Sequence, residues 1–178
     1  DQQGNLLMAT RNGLIKKTAL SEFASIRKVG KIAINLVDDD ELISVQLTCG
    51  RDEILMAASS GKCIRFAEDD VRLMGRDTMG VKSMKLDADD YVVDMTVVQS
   101  GCEILTVSQN GYGKRTSLDE YRLQSRAGKG IKAGVFNAKT GRLVNMKLIN
   151  PDDDIMIIAD NGIIIRMRAK EVSKISRD

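Results

Sequence analysis

The sequence predicts an all-β chain of repeated, propeller-like blades. Three observations carry this. One pattern recurs four times along the chain. Each recurrence sets short apolar runs on either side of a tight-turn glycine. No segment sustains the 3.6-residue apolar period of an amphipathic helix.

The recurrences open at Leu6-Leu-Met-Ala-Thr-Arg-Asn-Gly13, Ile54-Leu-Met-Ala-Ala-Ser-Ser-Gly61, Ile104-Leu-Thr-Val-Ser-Gln-Asn-Gly111 and Ile155-Met-Ile-Ile-Ala-Asp-Asn-Gly162, with glycines 48, 50 and 51 residues apart. Four residues after each glycine stands a base: Lys17, Arg65, Arg115 or Arg166. Nine residues after it stands an acid, Glu22, Asp70, Glu120 or Glu171, and the next position is apolar: Phe23, Val71, Tyr121 or Val172. A second glycine, Gly30, Gly80 or Gly130, follows the first by 17 to 19 residues in the three complete repeats. Such regular spacing makes the repeat the structural unit.

Each turn glycine follows Asn or Ser, a pairing suited to a hairpin because glycine takes positive φ without a Cβ clash. Strands are expected on both sides of each turn, with others at 32–37, 42–47, 81–86, 91–98, 131–136 and 143–149. That is about four strands per unit. The units 1–49, 50–99, 100–150 and 151–178 read as blades, the last incomplete. The stretches 20–24 and 118–121 leave room for short helices, and Pro151 falls between strands.

Composition narrows the function. A chain of 178 residues, 43% hydrophobic and 29% charged, belongs with folded globular proteins. No apolar stretch approaches the roughly 20 residues of a membrane helix. Histidine is absent, which excludes Ser-His-Asp, Cys-His and His-ligated zinc chemistry. Aromatics are 3% with no Trp, against aromatic platforms for sugars or single-stranded bases. Cys49, Cys63 and Cys102 form no C-x-x-C pattern and read as reduced thiols of a cytosolic chain. No charged-then-apolar leader is visible; the sequence opens at Asp1 and closes at Asp178 within a charged run, as in a piece of something longer.

Net charge is only +2, but its placement is patterned. Acids crowd the turns Asp38–Glu41, 87–90 and 152–154. Bases crowd the span between the two glycines and just past the second. From 14 to 35 stand Lys16, Lys17, Arg27, Lys28 and Lys31 against one acid, Glu22. From 112 to 132 stand Lys114, Arg115, Arg122, Arg126, Lys129 and Lys132 against Asp119 and Glu120. The second repeat offers Lys62, Arg65, Arg72, Arg76, Lys82 and Lys85, offset by four acids. In a radial repeat one phase maps to one part of the rim, so these bases form a stripe suited to a polyanion.

The base at the fourth position and the acid at the ninth read as an ion pair within each blade: Lys17 with Glu22, Arg65 with Asp70, Arg115 with Glu120, Arg166 with Glu171. These four bases are therefore structural first and binding candidates second. Arg27, Lys28, Lys31, Arg72, Arg76, Lys82, Lys114, Arg122, Arg126, Lys129 and Lys132 have no periodic acidic partner and are the candidate phosphate ligands. The acidic runs lack the glycine and distal glutamate of a calcium loop and read as solvated turns, so no metal site is expected. Gly111-Tyr-Gly113 is too short for a nucleotide loop, no tyrosine is marked as a nucleophile, and the methionines read as core fillers.

The stretches Gln109-Asn-Gly-Tyr-Gly-Lys-Arg-Thr116, Asn12-Gly-Leu-Ile-Lys-Lys-Thr18 with Leu20-Ser-Glu-Phe23, and Arg72-Leu-Met-Gly-Arg76 with Thr78-Met-Gly-Val-Lys82 resemble the C-terminal domains of bacterial DNA gyrase A subunits. The resemblance covers essentially the whole chain. It implies a β-pinwheel, a propeller-like disc whose blades exchange strands, here represented by about four blades. It further implies a non-catalytic domain that binds, bends and wraps duplex DNA on a basic perimeter, supporting ATP-dependent negative supercoiling by a type IIA topoisomerase. The expected partners are duplex DNA, the gyrase B subunit of the holoenzyme and the rest of the gyrase A polypeptide. No cofactor is expected here, because ATP and Mg2+ act in other parts of the holoenzyme. No membrane partner is implied. The domain would be monomeric by itself, in the bacterial cytoplasm at the nucleoid. One departure stands out: the family's box, Gln-Arg/Lys-Arg-Gly-Gly-Arg/Lys-Gly, is represented only by Gln124-Ser-Arg-Ala-Gly-Lys-Gly130, which keeps five of seven positions. The A-type subunit of topoisomerase IV is accordingly the alternative within the family. Outside it, a protein-interaction propeller lacks its Gly-His and Trp-Asp signatures here, and a hydrolase propeller lacks histidine.

Overall fold

The computed structural model describes residues 3–25 and 28–178. The chain is all-β. The first repeat supplies β1 (Asn5–Thr10), β2 (Leu14–Ala19) and β3 (Leu42–Thr48). The second supplies β4 (Glu53–Ala58), β5 (Lys62–Ala67), β6 (Val81–Lys82) and β7 (Val92–Val97), and the third β8 (Glu103–Ser108), β9 (Gly113–Ser117), β10 (Ile131–Lys132) and β11 (Leu143–Ile149). The last contributes β12 (Asp154–Ile158) and β13 (Ile164–Arg168). One-turn 3₁₀ segments at Leu20–Phe23, Glu68–Asp70, Leu118–Glu120 and Ala169–Glu171 follow the second strand of each repeat, at the stretches with room for short helices and at their equivalents.

Each repeat opens as a hairpin whose turn is closed by the glycine amide: Gly13 N–H donates to Thr10 O at 3.1 Å, Gly61 to Ala58 O at 2.9 Å, Gly111 to Ser108 O at 3.0 Å and Gly162 to Ala159 O at 2.8 Å. Positive φ is confined to the glycine of each turn. This is the three-residue loop with a glycine bulge.

The strands assemble into sheets ordered β3-β1-β2-β6, β10-β5-β4-β7, β11-β8-β9 and β12-β13, with antiparallel pairing throughout. The sheets do not coincide with the repeats. The fourth strand of the first sheet, β6, comes from the second repeat, and that of the second sheet, β10, from the third. The strands expected at 81–86 and 131–136 shrink to these two-residue ladders, Leu14 opposite Lys82 and Lys62 opposite Lys132. The strand expected at 32–37 does not form. Its equivalents pair backwards onto the preceding repeat.

Backward pairing explains the second glycine. A Cβ on Gly80 would stand 2.6 Å from Ile15 O, and one on Gly130 would stand 2.4 Å from Cys63 O, with φ of +96 and +72. Only glycine accepts both the left-handed conformation and so close a backbone approach. Gly30 shares the conformation, at φ +77, but nothing lies within 4 Å of a Cβ there.

The sheets stack face to face. On β4, Ile54, Met56 and Ala58 turn towards Leu7, Ala9 and Ile15 of the first sheet, while Leu55 and Ala57 turn towards Ile104, Leu143 and Met146 of the third. Alternation by two with both faces apolar is the pattern of a strand covered on each side. Leu105, Ile149 and Ala169 continue the stack to Ile155 of the fourth sheet. Met8, Met56, Met74, Met84, Met95 and Met146 are core, whereas Met79 and Met156 are exposed.

Candidate nucleic-acid interface

After the 3₁₀ turns of the second, third and fourth repeats the chain crosses onto the blade before it. Leu73 bridges Lys17, Leu123 bridges Arg65 and Lys174 bridges Arg115, all in parallel. Met74 N–H donates to Lys17 O at 2.8 Å and Gln124 N–H to Arg65 O at 2.7 Å. The following residues, up to β6 or β10 and slightly beyond, form an arm along the outer strand. Neighbouring arms are joined in series: Asn35 N–H donates to Thr78 O at 3.0 Å, Ala127 N–H to Ser83 O at 2.7 Å, and Lys85 N–H to Gly128 O at 2.7 Å. The result is a belt of linked arms.

The bases at the fourth position are structural, but their partners differ from the expectation. Arg65 Nη2 lies 2.5 Å from Glu53 Oε2, Arg115 Nη1 2.5 Å from Glu103 Oε2, and Arg166 Nη2 2.5 Å from Asp154 Oδ2. None pairs with the acid at the ninth position. Hairpin register is the reason. Arg65 stands opposite Leu55 and Arg115 opposite Leu105, so the acid two residues before that leucine shares the same sheet face. The ninth position lies past the strand end, in the 3₁₀ turn. There Glu120 Oε2 accepts Arg177 N–H at 2.7 Å, Glu171 Oε2 accepts Arg168 N–H at 2.6 Å, and Glu22 and Asp70 are exposed. The remaining donors bind the next repeat: Arg65 Nη1 to Tyr121 O at 2.9 Å, Arg115 Nε to Val172 O at 2.8 Å, Lys17 Nζ to Glu68 O at 3.2 Å. Lys17 faces no acid, because the position of Glu53 is Asn5 in its hairpin.

The phosphate-ligand candidates divide. Arg27 lies outside the described residues. Lys28, Arg72, Lys82, Arg122, Lys129 and Lys132 are exposed, and among the described residues their side chains have no hydrogen-bond or ion-pair partner. Lys31 Nζ donates to Glu22 O at 3.1 Å and Ala24 O at 3.0 Å. Arg76 Nη1 donates to Ile32 O at 2.8 Å, and Arg126 Nε to Asp70 O at 2.9 Å and its Nη1 to Lys82 O. Lys114 Nζ donates to Ser176 O at 2.9 Å and Arg177 O at 2.6 Å. Burial pushes the Lys114 amine below the ordinary lysine range, against the opposing pull of Glu120 and Asp178. Lys16 makes the equivalent bond to Arg76 O, adds one to Ala33 O, and is lowered in the same way, chiefly by burial. Lys31, Arg76, Arg126 and Lys114 thus spend donors inside the protein.

Clefts open where one arm meets the next repeat. One of about 610 Å³ is lined by Lys62, Lys129, Lys132 and Arg177, and one of about 560 Å³ by Lys31, Ile32, Arg76 and Asp77. Lys62 is held by Asp87. Sequence reasoning counts Lys85 in the basic stripe but not among the candidate phosphate ligands; among the described residues it is an exposed cation without a side-chain partner, on the same arm as Lys82. The acidic runs are not merely solvated: Asp40 Oδ1 accepts Asn12 N–H at 2.9 Å and Asp90 Oδ1 accepts Ser60 N–H at 3.0 Å, capping the hairpin turns. Glu68, buried where the other repeats carry Leu20, Leu118 and Ala169, accepts from Asn5 Nδ2 at 3.0 Å, Thr48 Oγ1 at 2.6 Å and Gly50 N–H at 2.8 Å. It fastens the link between the first two repeats.

Comparison with known proteins agrees with this architecture. The model of the DNA gyrase C-terminal domain, described as a beta-propeller, matches at 4–49, 52–99, 103–150 and 153–178. The DNA gyrase A subunit of Ureaplasma parvum serovar 3 is 44% identical over 176 residues, covering 99% of this chain and 21% of the relative. That of Salmonella typhimurium is 46% identical over 174 residues, covering 98% and 20%. The chain therefore spans about one fifth of the length of the curated relatives it matches. The solved C-terminal domain of DNA topoisomerase IV superposes with TM-score 0.93 at 28% identity, covering 98% of this chain and 55% of that one. The solved DNA gyrase A C-terminal domain gives 0.90 at 29%, covering 100% and 60%. Matched in all of its repeats and over nearly its full length, this chain belongs to the DNA gyrase C-terminal domain family.

Proposed function

We propose that this chain is a non-catalytic duplex-DNA-binding and bending surface of a gyrase A subunit, with the belt of arms as the contact path. The observation that carries this reading is the recurrence, at two phases of the second and third repeats, of exposed cations with no side-chain partner among the described residues: Arg72 and Arg122, then Lys82 and Lys132, with Lys28, Lys85 and Lys129 beside them. Fixed positive charges along a belt meet phosphates without reading bases. Wrapping has an energetic requirement: smoothly bending a 20–30 base-pair site by 40–90° costs about 1–6 kcal/mol, which distributed contacts must offset. ATP and Mg2+ have no part in this binding; they serve the strand passage carried out elsewhere in the enzyme. Gyrase is favoured over topoisomerase IV by the curated relatives.

The test is duplex binding measured by anisotropy over a salt series, without nucleotide and in EDTA. Seven phosphate contacts give a slope of log affinity against log salt near −6, little dependent on sequence. A slope near −1, strong preference for one short sequence, or a requirement for ATP or Mg2+ would rule the reading out.

A further inference from the structure

We propose that Arg76, Arg126 and Arg177 are positioning residues that latch each arm to the arm before it and so set the spacing of the free cations along the belt. This rests on the DNA-binding reading for its consequence, though not for its geometry. The three arginines stand at one repeat phase, 50 and 51 residues apart. Each sends Nη1 to the same place on the preceding arm: Arg76 to Ile32 O at 2.8 Å, Arg126 to Lys82 O, Arg177 to Lys132 O. All three side chains are half-buried.

The main chain at this phase is held as well. Lys16 Nζ donates to Arg76 O, and Lys114 Nζ to Arg177 O at 2.6 Å. The middle repeat has Ile64 in place of that lysine. There the arginine supplies the missing tie itself, Arg126 Nε donating to Asp70 O at 2.9 Å. A phosphate ligand would turn its fork outwards; the Arg126 fork closes on two carbonyls from different segments, whereas Arg76 holds the Ile32 carbonyl alone and Arg177 holds the Lys132 carbonyl beside the Asp178 carboxylate. Two of the latched carbonyls, those of Lys82 and Lys132, belong to residues whose side chains are free cations. The latch therefore acts on DNA through the backbone that carries those lysines. Guanidinium suits the task because its donors sit in a rigid plane, whereas an ammonium offers a single, shorter point of attachment.

Arg126→Lys separates the latch from a charge contact, because it keeps the charge and loses the fork. Amide hydrogen exchange, duplex affinity over a salt series, and duplex bend by end-to-end energy transfer at saturation are measured on the protein and on this variant. The latch requires the Ala127 and Lys85 amides to exchange at least roughly tenfold faster. It also requires affinity to fall roughly three- to tenfold at an unchanged salt slope, with a smaller bend. Lys129→Met, a contact variant, lowers the slope by about 1 and leaves exchange as in the parent. Parent-like exchange in Arg126→Lys overturns the latch; faster exchange with parent-like affinity and bend overturns its positioning role. If the parent itself fails to bind duplex, the DNA reading and the positioning role fall together, while the exchange comparison still decides whether the latch exists.

Discussion

Arg115 Nη1 lies 2.5 Å from Glu103 Oε2 across the β8–β9 hairpin, with both side chains only 9% exposed. Lys174 Nζ completes the group, 2.6 Å from Glu103 Oε1. The same pair recurs as Arg166 and Asp154 on the fourth sheet, where the side chains are 71% and 49% exposed. Burial decides the difference in worth. Removing one partner of a buried pair strands its charge and costs about 3–5 kcal/mol, whereas an exposed pair contributes little.

Arg115→Met is therefore expected to destabilise the protein by about 3 kcal/mol, at the low end because Lys174 stays beside Glu103. Arg166→Met is expected to leave the denaturation midpoint unchanged. Urea unfolding of both variants checks this; equal midpoints contradict the difference in burial.

Acid stability follows from two carboxylates. Burial pushes the Glu103 carboxyl upward, but hydrogen bonds and charge from Lys174 and Arg115 outweigh it and hold it below 4.5. Burial likewise raises Asp90, and the Ser60 and Ser59 hydroxyls with the Ser60 and Tyr91 amides bring it below 3.8. In both cases the folded state binds its proton less readily than the unfolded state. Their contribution is present above the unfolded values and is lost as pH falls through the lower folded ones. Thermal melts from about pH 6 to pH 3 are expected to show stability falling below about pH 4.5, with a shallower fall in Glu103→Gln.

The arm glycines are not equivalent. Gly130→Ala must move a Cβ away from Cys63 O, 2.4 Å distant, and also bear a left-handed φ; Gly30→Ala bears only the φ. The left-handed cost is about 1–2 kcal/mol for a residue with a side chain. Gly30→Ala is expected to cost no more than that, and Gly130→Ala more, with loss of the β10–β5 pairing. Calorimetry with amide exchange at Ala133, whose N–H donates to Gly61 O at 2.7 Å, measures both.

Thiol chemistry reports the packing between blades. Cys63 is fully buried, and burial pushes its thiol up to about 12. Cys49 is exposed. Near pH 8, a thiol reagent is expected to modify Cys49 rapidly and Cys63 only at the rate of unfolding. Rapid labelling of Cys63 in the folded protein contradicts the stack of the second and third sheets.

Local chemistry is legible in the sequence. Turn glycines after Asn or Ser specify the hairpins, and the continuous apolar run from Ile54 to Ala58 specifies a strand buried on both faces. The fold class and family are legible for the same reason: a repeat multiplies every local signal by the number of its copies. The acids Glu53, Glu103 and Asp154 are also readable, each standing 12 residues before its base. The ninth-position acid competes with them because it is nearer in sequence, although it lies beyond the end of the strand. What only the tertiary structure decided is which repeat each element serves. Val81–Lys82 and Ile131–Lys132 complete the sheets of the preceding repeats, and segment 32–37 stays irregular, because pairing depends on a neighbour's edge rather than on a segment's own residues. The same holds for the cations. Arg126 and Lys129 are both basic residues of one loop, yet the fold turns the first onto the Lys82 carbonyl and leaves the second in solvent. Charge is written in the sequence, but direction is set by whichever unpaired carbonyl the packing brings within reach.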